Sequence, residues 1–203
     1  MVDGEGTGFE GLGKAGAAKE RILLAAEKLL EAKGYHATGM AEMVEASGAP
    51  KGSVYYHFPG GKEEIASEAV LRAGRKLAAR ISGELAGSGD PALSVPAFIR
   101  ELSRRVEDSG YSAGGPLTIV AAETATSNER VGEACREAFG LISAAFASAL
   151  AGAGYGAEAA ESLATAITAS IEGALLMSRT MRSGEALRTV ASSLASLLEL
   201  SRP

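Results

Sequence analysis

Ser47-Gly48-Ala49-Pro50 separates two short segments of helical periodicity, and this turn restricts the possible folds more than any other stretch of the chain. Glycine at position 48 supplies the positive φ that a sharp turn between helices requires. Pro50 can open the following helix, where its missing N–H is no loss. Two helices joined in this way form a helix-turn-helix. The second of them carries Lys51, Ser53, Tyr55, Tyr56 and His57, whose side chains can reach phosphates and base edges. The chemistry of the segment therefore points to double-stranded DNA.

The remaining sequence says what surrounds this element. At 203 residues the chain is long enough to bury a full core. A single Cys135 excludes a disulfide framework and a four-cysteine zinc site. No signal peptide opens the chain, and no uninterrupted apolar run approaches the roughly 20 residues of a membrane span. A soluble, cytoplasmic protein without membrane attachment is expected. The net charge is −5, unevenly spread: residues 14–80 hold 11 Lys and Arg against 8 Asp and Glu, and residues 81–203 hold 9 against 14. The excess of positive charge thus accompanies the turn.

Period-two alternation never persists, so the fold class expected is all-α with about nine helices. Residues 1–16, rich in glycine and poor in apolar groups, read as a disordered arm. Helix one starts near Ala17 and ends at Gly34-Tyr35; Thr38 is placed to cap helix two. Helix four begins near Lys62 and runs for about 25 residues by its apolar spacing, with Glu68 and Arg72 at i,i+4 and Arg72, Arg75, Lys76 and Arg80 on a solvated face. Gly87-Ser88-Gly89-Asp90-Pro91 marks a linker. Further helices follow at about 93–109, from Pro116, from about Asn128 to Ala151, and at 157–182 and 184–200. Small residues on the penultimate helix and a wide apolar face on the last predict a homodimer through these two helices.

Gly34-Tyr35, Thr38, Gly48, Lys51-Gly52-Ser53-Val54-Tyr55-Tyr56-His57-Phe58 and Lys62-Glu63-Glu64-Ile65 together resemble the TetR family of transcriptional regulators over residues 17–70. Gly60-Gly61, Gly114-Gly115-Pro116-Leu117 and Glu172-Gly173-Ala174-Leu175 are similar to its LmrA/YxaF-like branch. Gly115 stands where that branch commonly has Cys, Met43 and Ser47 replace the usual Ile and Ala, and the effector domain has no Trp. The resemblance implies a helix-turn-helix domain over 17–62 and an effector-binding and dimerisation domain over 63–203. It also implies a dimeric, ligand-responsive repressor on a palindromic operator. A DNA-binding dimer without an effector, controlled by abundance or a protein partner, is the alternative.

The N-terminal turn of a recognition helix supplies most base contacts, which makes Lys51, with Gly52 and Ser53, the base-reading group. The resemblance gives Tyr55, Tyr56, His57 and Lys62 to the sugar-phosphate backbone, and Thr38 and Gly39 to a further phosphate through backbone N–H groups. Tyr55 has a second reading, as packing between helices one and three; Val54 and Phe58 are core. Candidate effector contacts are Phe98, Leu102, Thr118, Phe139, Ile142, Phe146, Glu172 and Met177, each with core packing as its alternative. Glu172 lies in an otherwise apolar helix, where an unpaired carboxylate is costly. A ligand, a local hydrogen-bond network or the partner subunit could each satisfy it. No enzyme, cofactor or metal is expected: both His lie in the DNA-binding half, Cys135 has no His near it, and P-loop and dinucleotide fingerprints are missing.

Overall fold

The computed structural model describes residues 14–86 and 89–202. Among them are nine helices and no strand: α1 Lys14–Lys33, α2 Met40–Ser47, α3 Lys51–His57, α4 Gly61–Ala86, α5 Pro91–Asp108, α6 Leu117–Thr124, α7 Glu129–Gly152, α8 Ala157–Met181 and α9 Glu185–Leu200. The arm expected over 1–16 lies outside the described residues as far as residue 13. Its last three positions are corrected, because Lys14 to Gly16 already belong to α1. Ala17 and Ala18 carry no propensity penalty, so Gly16 at roughly 1 kcal/mol is tolerated in this first turn. Gly87 and Ser88 of the expected linker are likewise outside the described residues. Beyond them the Asp90 carboxylate accepts the Ala92 N–H at 2.9 Å and starts α5.

The N-terminal core gathers Ile22, Ala26 and Leu30 of α1 with Met43 of α2, Val54 of α3, Phe58, and Ile65 and Ala69 of α4, all without solvent exposure. Gly48 adopts φ +62° and its N–H donates to the Glu45 carbonyl at 3.1 Å, as the turn requires. Ser47 reinforces the same turn: its hydroxyl donates to the Val44 carbonyl at 2.8 Å and accepts the Ala49 N–H at 3.1 Å. Thr38 does not cap α2. Its buried hydroxyl donates to the Gly34 carbonyl at 2.7 Å and closes the turn after α1, while Gly39 holds the N-cap position and no side chain caps the helix.

The second half is a stack in which α4 lies along α7, α7 along α8, α8 beside α9, and α9 against α5. Helix α7 has the length and apolarity of a membrane span, and it packs between α4, α6 and α8. The α4 basic face is solvated only in part: Arg75 and Lys76 are exposed as expected, whereas Arg72 and Arg80 are partly withdrawn from solvent. Arg72 reaches Glu20 and, at 2.8 Å, Glu27 of α1 rather than Glu68; Glu68 pairs with Lys19 at 2.7 Å, Lys76 with Glu27 at 3.1 Å, and Arg80 with Glu84. The cause is geometric, since α1 crosses α4 closely enough to offer fixed carboxylates. The pairs made by Glu68, Arg72 and Lys76 bind the first half of α4 to the first helix, whereas Arg80–Glu84 stays within α4.

Where α4 crosses α7, Gly74 faces Ala138 so closely that a Cβ on Gly74 would lie 2.6 Å from the Ala138 Cβ and 3.0 Å from its Cα. Gly74→Ala gains about 1 kcal/mol of helix propensity but must push the helices away from each other, at a cost of about 1–3 kcal/mol. The expected net outcome is a melting temperature lower by a few degrees, measured by circular dichroism. An unchanged or higher value would mean that this contact does not set the helix separation.

Candidate functional site

Two places hold the residues singled out from the sequence. The first is the outer face of α3. Lys51 and Gly52 are exposed at its start, Ser53 is half-buried, and Tyr55 and Tyr56 are 46% and 80% exposed. Tyr55 is thus about half exposed, while Val54 and Phe58 are fully buried beside it. The His57 ring meets the Tyr56 ring edge-on at 5.2 Å. Gly39 lies exposed at the uncapped start of α2. Thr38 departs from its expected role, because its hydroxyl is buried and its N–H donates to the Tyr35 carbonyl at 3.3 Å. The Lys62 ammonium sits 4.2 Å from the centre of the Tyr35 ring, a cation–π contact at the start of α4.

The second place is a cavity of about 310 Å³, partly open to solvent, lined by α1, α4, α5, α7, α8 and the segment leading into α6. Phe98, Leu102, Ile142, Phe146 and Glu172 line it, together with Leu77, Ile81, Ile171 and Leu175. The rings of Phe98 and Phe146 meet edge to face at 6.1 Å. Thr118 is behind the wall, where its hydroxyl donates to the Glu172 carboxylate. With Thr118, two more expected contacts do not line the cavity. Phe139 is half-buried away from the cavity, and Met177 is 51% exposed on the outer side of α8 with Leu176 and Met181. A helix turns 100° per residue, so apolar positions on α8 divide between the cavity and the outside. Burial pushes the Glu172 carboxyl above the usual carboxylate range, partly offset by the Thr118 hydrogen bond. A second cavity of about 330 Å³, at the far ends of α4, α5 and α7, has no charged or aromatic lining.

The two places are physically joined through Glu31, Glu123 and Arg179, which the sequence did not single out. Glu31, on α1, lines the cavity and accepts the N–H groups of Gly114 and Gly115 at 2.8 and 2.7 Å. Both glycines have positive φ, which turns successive N–H groups toward one carboxylate oxygen. Arg179 of α8 donates to the Glu31 carbonyl at 3.2 Å and to the Ser112 carbonyl. At the other end of α6, Glu123 accepts the N–H groups of Tyr35 and His36 at 2.6 and 2.9 Å. Asn128, the N-cap of α7, donates to Glu63 at 2.8 Å and to the Tyr35 hydroxyl at 3.4 Å. The doubled Gly114-Gly115 was the one local signal for such an anion cradle; its partner lies 83 residues earlier.

Cys135 is buried, and burial pushes its thiol up to about 11 despite hydrogen bonding to Thr124 and the charge of Arg136. At pH 8 the thiolate fraction is then about a thousandth, and the sulfur is shielded. Ellman's reagent at pH 8 is expected to leave the native protein unlabelled and to titrate one thiol after denaturation. Rapid native labelling would contradict the burial of this residue.

Residues 22–69 match the family model of the bacterial regulatory proteins, tetR family, and residues 91–193 match that of the transcriptional regulator LmrA/YxaF-like C-terminal domain. The chain is 36% identical over 184 residues to the HTH-type transcriptional regulator LmrA of Bacillus subtilis (strain 168), covering 91% of this chain and 98% of that protein. It is also 36% identical over 176 residues to the uncharacterized HTH-type transcriptional regulator YxaF of the same organism, covering 87% and 92%. Among solved structures, the regulatory protein TetR from Rhodobacter sphaeroides shares the fold, with a TM-score of 0.75 at 20% identity and coverage of 88% of this chain and 97% of that one. The chain belongs to the TetR family of bacterial transcriptional regulators, within its LmrA/YxaF-like branch, and is a DNA-binding regulator rather than an enzyme.

Proposed function

We propose that the protein is a cytoplasmic homodimeric repressor that holds a palindromic operator and releases it when a small, largely apolar effector fills the cavity. The observation behind this proposal is the bond between Glu31 and the Gly114-Gly115 segment, because it makes one wall of the cavity continuous with α1 of the DNA-binding half. An effector pressing on that segment moves α1 and α6 together. Tyr35 and Lys62 follow through Glu123 and Asn128. The dimer face is assigned to α8 and α9, where Leu176, Met177, Met181, Leu197 and Leu200 are exposed. Covering such apolar surface favours association.

In the dimer, two copies of α3 enter successive major grooves, with half-sites about 34 Å apart. Lys51 reads a base, with Gly52 and Ser53 close to the groove floor. Tyr55, Tyr56, His57 and Lys62 contact the backbone, and the uncapped start of α2 at Gly39 offers N–H groups to another phosphate. A rigid-body change of a few ångströms ruins the match to both grooves at once. Coupling of about 1–3 kcal/mol alters operator affinity roughly 5–150-fold.

Selecting bound fragments from the organism's own DNA, then repeating the binding with small molecules handled by neighbouring gene products, tests this reading. Affinity is expected to fall within that range when the cavity is occupied. Unchanged affinity with a bound compound would leave a DNA-binding dimer without effector control. Glu31→Ala is expected to shrink the effect of saturating compound on operator affinity, as measured by mobility shift. Lys51→Ala should relax discrimination at one position of each half-site, whereas Lys62→Ala should weaken operator and random DNA alike and lower the salt slope by about 1. Equal losses on both DNAs for Lys51→Ala would remove it from base reading.

A further inference from the structure

The charges around the cavity are not equivalent. Glu27 is held by Arg72 and Lys76, Glu31 by the Gly114 and Gly115 N–H groups, and Arg80 by Glu84. Arg105 lies at the exposed edge, where solvent screens it. Glu172 differs from all of these. It projects from an apolar stretch of α8 into the cavity, and the hydroxyl of Thr118 is its one hydrogen-bond donor among the described residues. No ammonium or guanidinium is among the influences on its acidity.

An effector that fills this space displaces water from the Glu172 carboxylate. A neutral apolar body would leave the carboxyl with Thr118 alone, where it must either stay charged without solvent or counter-charge or take up a proton, each at a cost. A cation reverses the sign of that effect, because attraction strengthens as water is excluded. The walls suit the apolar body. Phe98 and Phe146 line the cavity edge to face, and because the Arg80 guanidinium at 5.1 Å already occupies the Phe98 ring, Glu172 is the place left for the charge.

We propose that the effector is an organic cation: an ammonium carried on a compact apolar body, with the charge against Glu172 and the body between Phe98, Ile142 and Phe146. This assignment rests on the cavity being the effector site. It narrows the expected ligand from merely apolar to one bearing a single buried positive charge.

Three probes that share a biphenyl body test it by calorimetry with the full chain: 4-phenylbenzylamine, 4-phenylbenzyl alcohol and 4-phenylbenzoate. The amine is expected to bind at least about tenfold more tightly than the alcohol, and the carboxylate most weakly. Glu172→Gln is expected to bring amine and alcohol within about threefold while leaving the alcohol little changed. Thr118→Val removes the competing hydroxyl but keeps the carboxylate, so the amine preference should persist or grow. This second variant covers the case in which Glu172→Gln fails to fold. Binding of the alcohol as tightly as the amine, tightest binding of the carboxylate, or a preference that survives Glu172→Gln would overturn the cation assignment and leave the cavity reading standing. Binding by none of the three to folded wild-type protein would overturn both.

Discussion

Helix α4 belongs to both halves of the molecule, and its packing decides whether those halves can communicate. Its first turns complete the core around Ile65 and Ala69 beneath the helix-turn-helix, and its later turns lie against α7 at Gly74 and Ala138. A helix of 26 residues transmits displacement along its axis because its hydrogen bonds resist bending. The close approach at Gly74 makes the α4–α7 contact backbone-near, so little side-chain slack absorbs a shift. The cavity opens beside this contact, lined by Leu77 and Ile81 of the same helix.

A second set of connections runs through carboxylates rather than through apolar packing. Glu31 and Glu123 each gather two backbone N–H groups across the boundary between the halves, and Arg72 is shared by Glu20 and Glu27. Charged acceptors of paired N–H groups form strong and directional bonds. Such bonds have few intermediate arrangements, so a joint built from them is suited to two discrete states. Apolar contacts alone would fix the halves less sharply.

The helix-turn-helix was legible because its determinants are local. Gly48 needs its positive φ, Pro50 lacks an N–H, and Val54 of α3 and Phe58 at its C-terminal cap fall four residues apart and are both buried, all within a dozen positions. Much of the cavity was legible for a related reason: Phe98 and Leu102, like Ile142 and Phe146, are i,i+4 neighbours on one helix face. Thr38 misled because threonine before a helix is a common cap, and here the Gly34 carbonyl was the nearer partner for its hydroxyl. Phe139 and Met177 misled because apolar character does not say which neighbour a helix face will meet. Met177 is turned outward with Leu176 and Met181, a placement that depends on how α8 is rolled against α7 and α9.

The sequence by itself determined the all-helical class and the helix-turn-helix, since each rests on interactions within a few residues of one another, and its fixed motif spacings carried the family. Glu172 could be marked as costly from its apolar surroundings alone. What it meets could not be read in the same way. The tertiary structure alone decided that its carboxyl enters a cavity, that Glu31 holds Gly114 and Gly115, and that Glu123 holds Tyr35 and His36. Those partners are 83 to 88 residues apart in the chain. No local propensity encodes such pairings; they exist only once the packing of α4 on α1 and α7 has brought the groups within hydrogen-bonding distance.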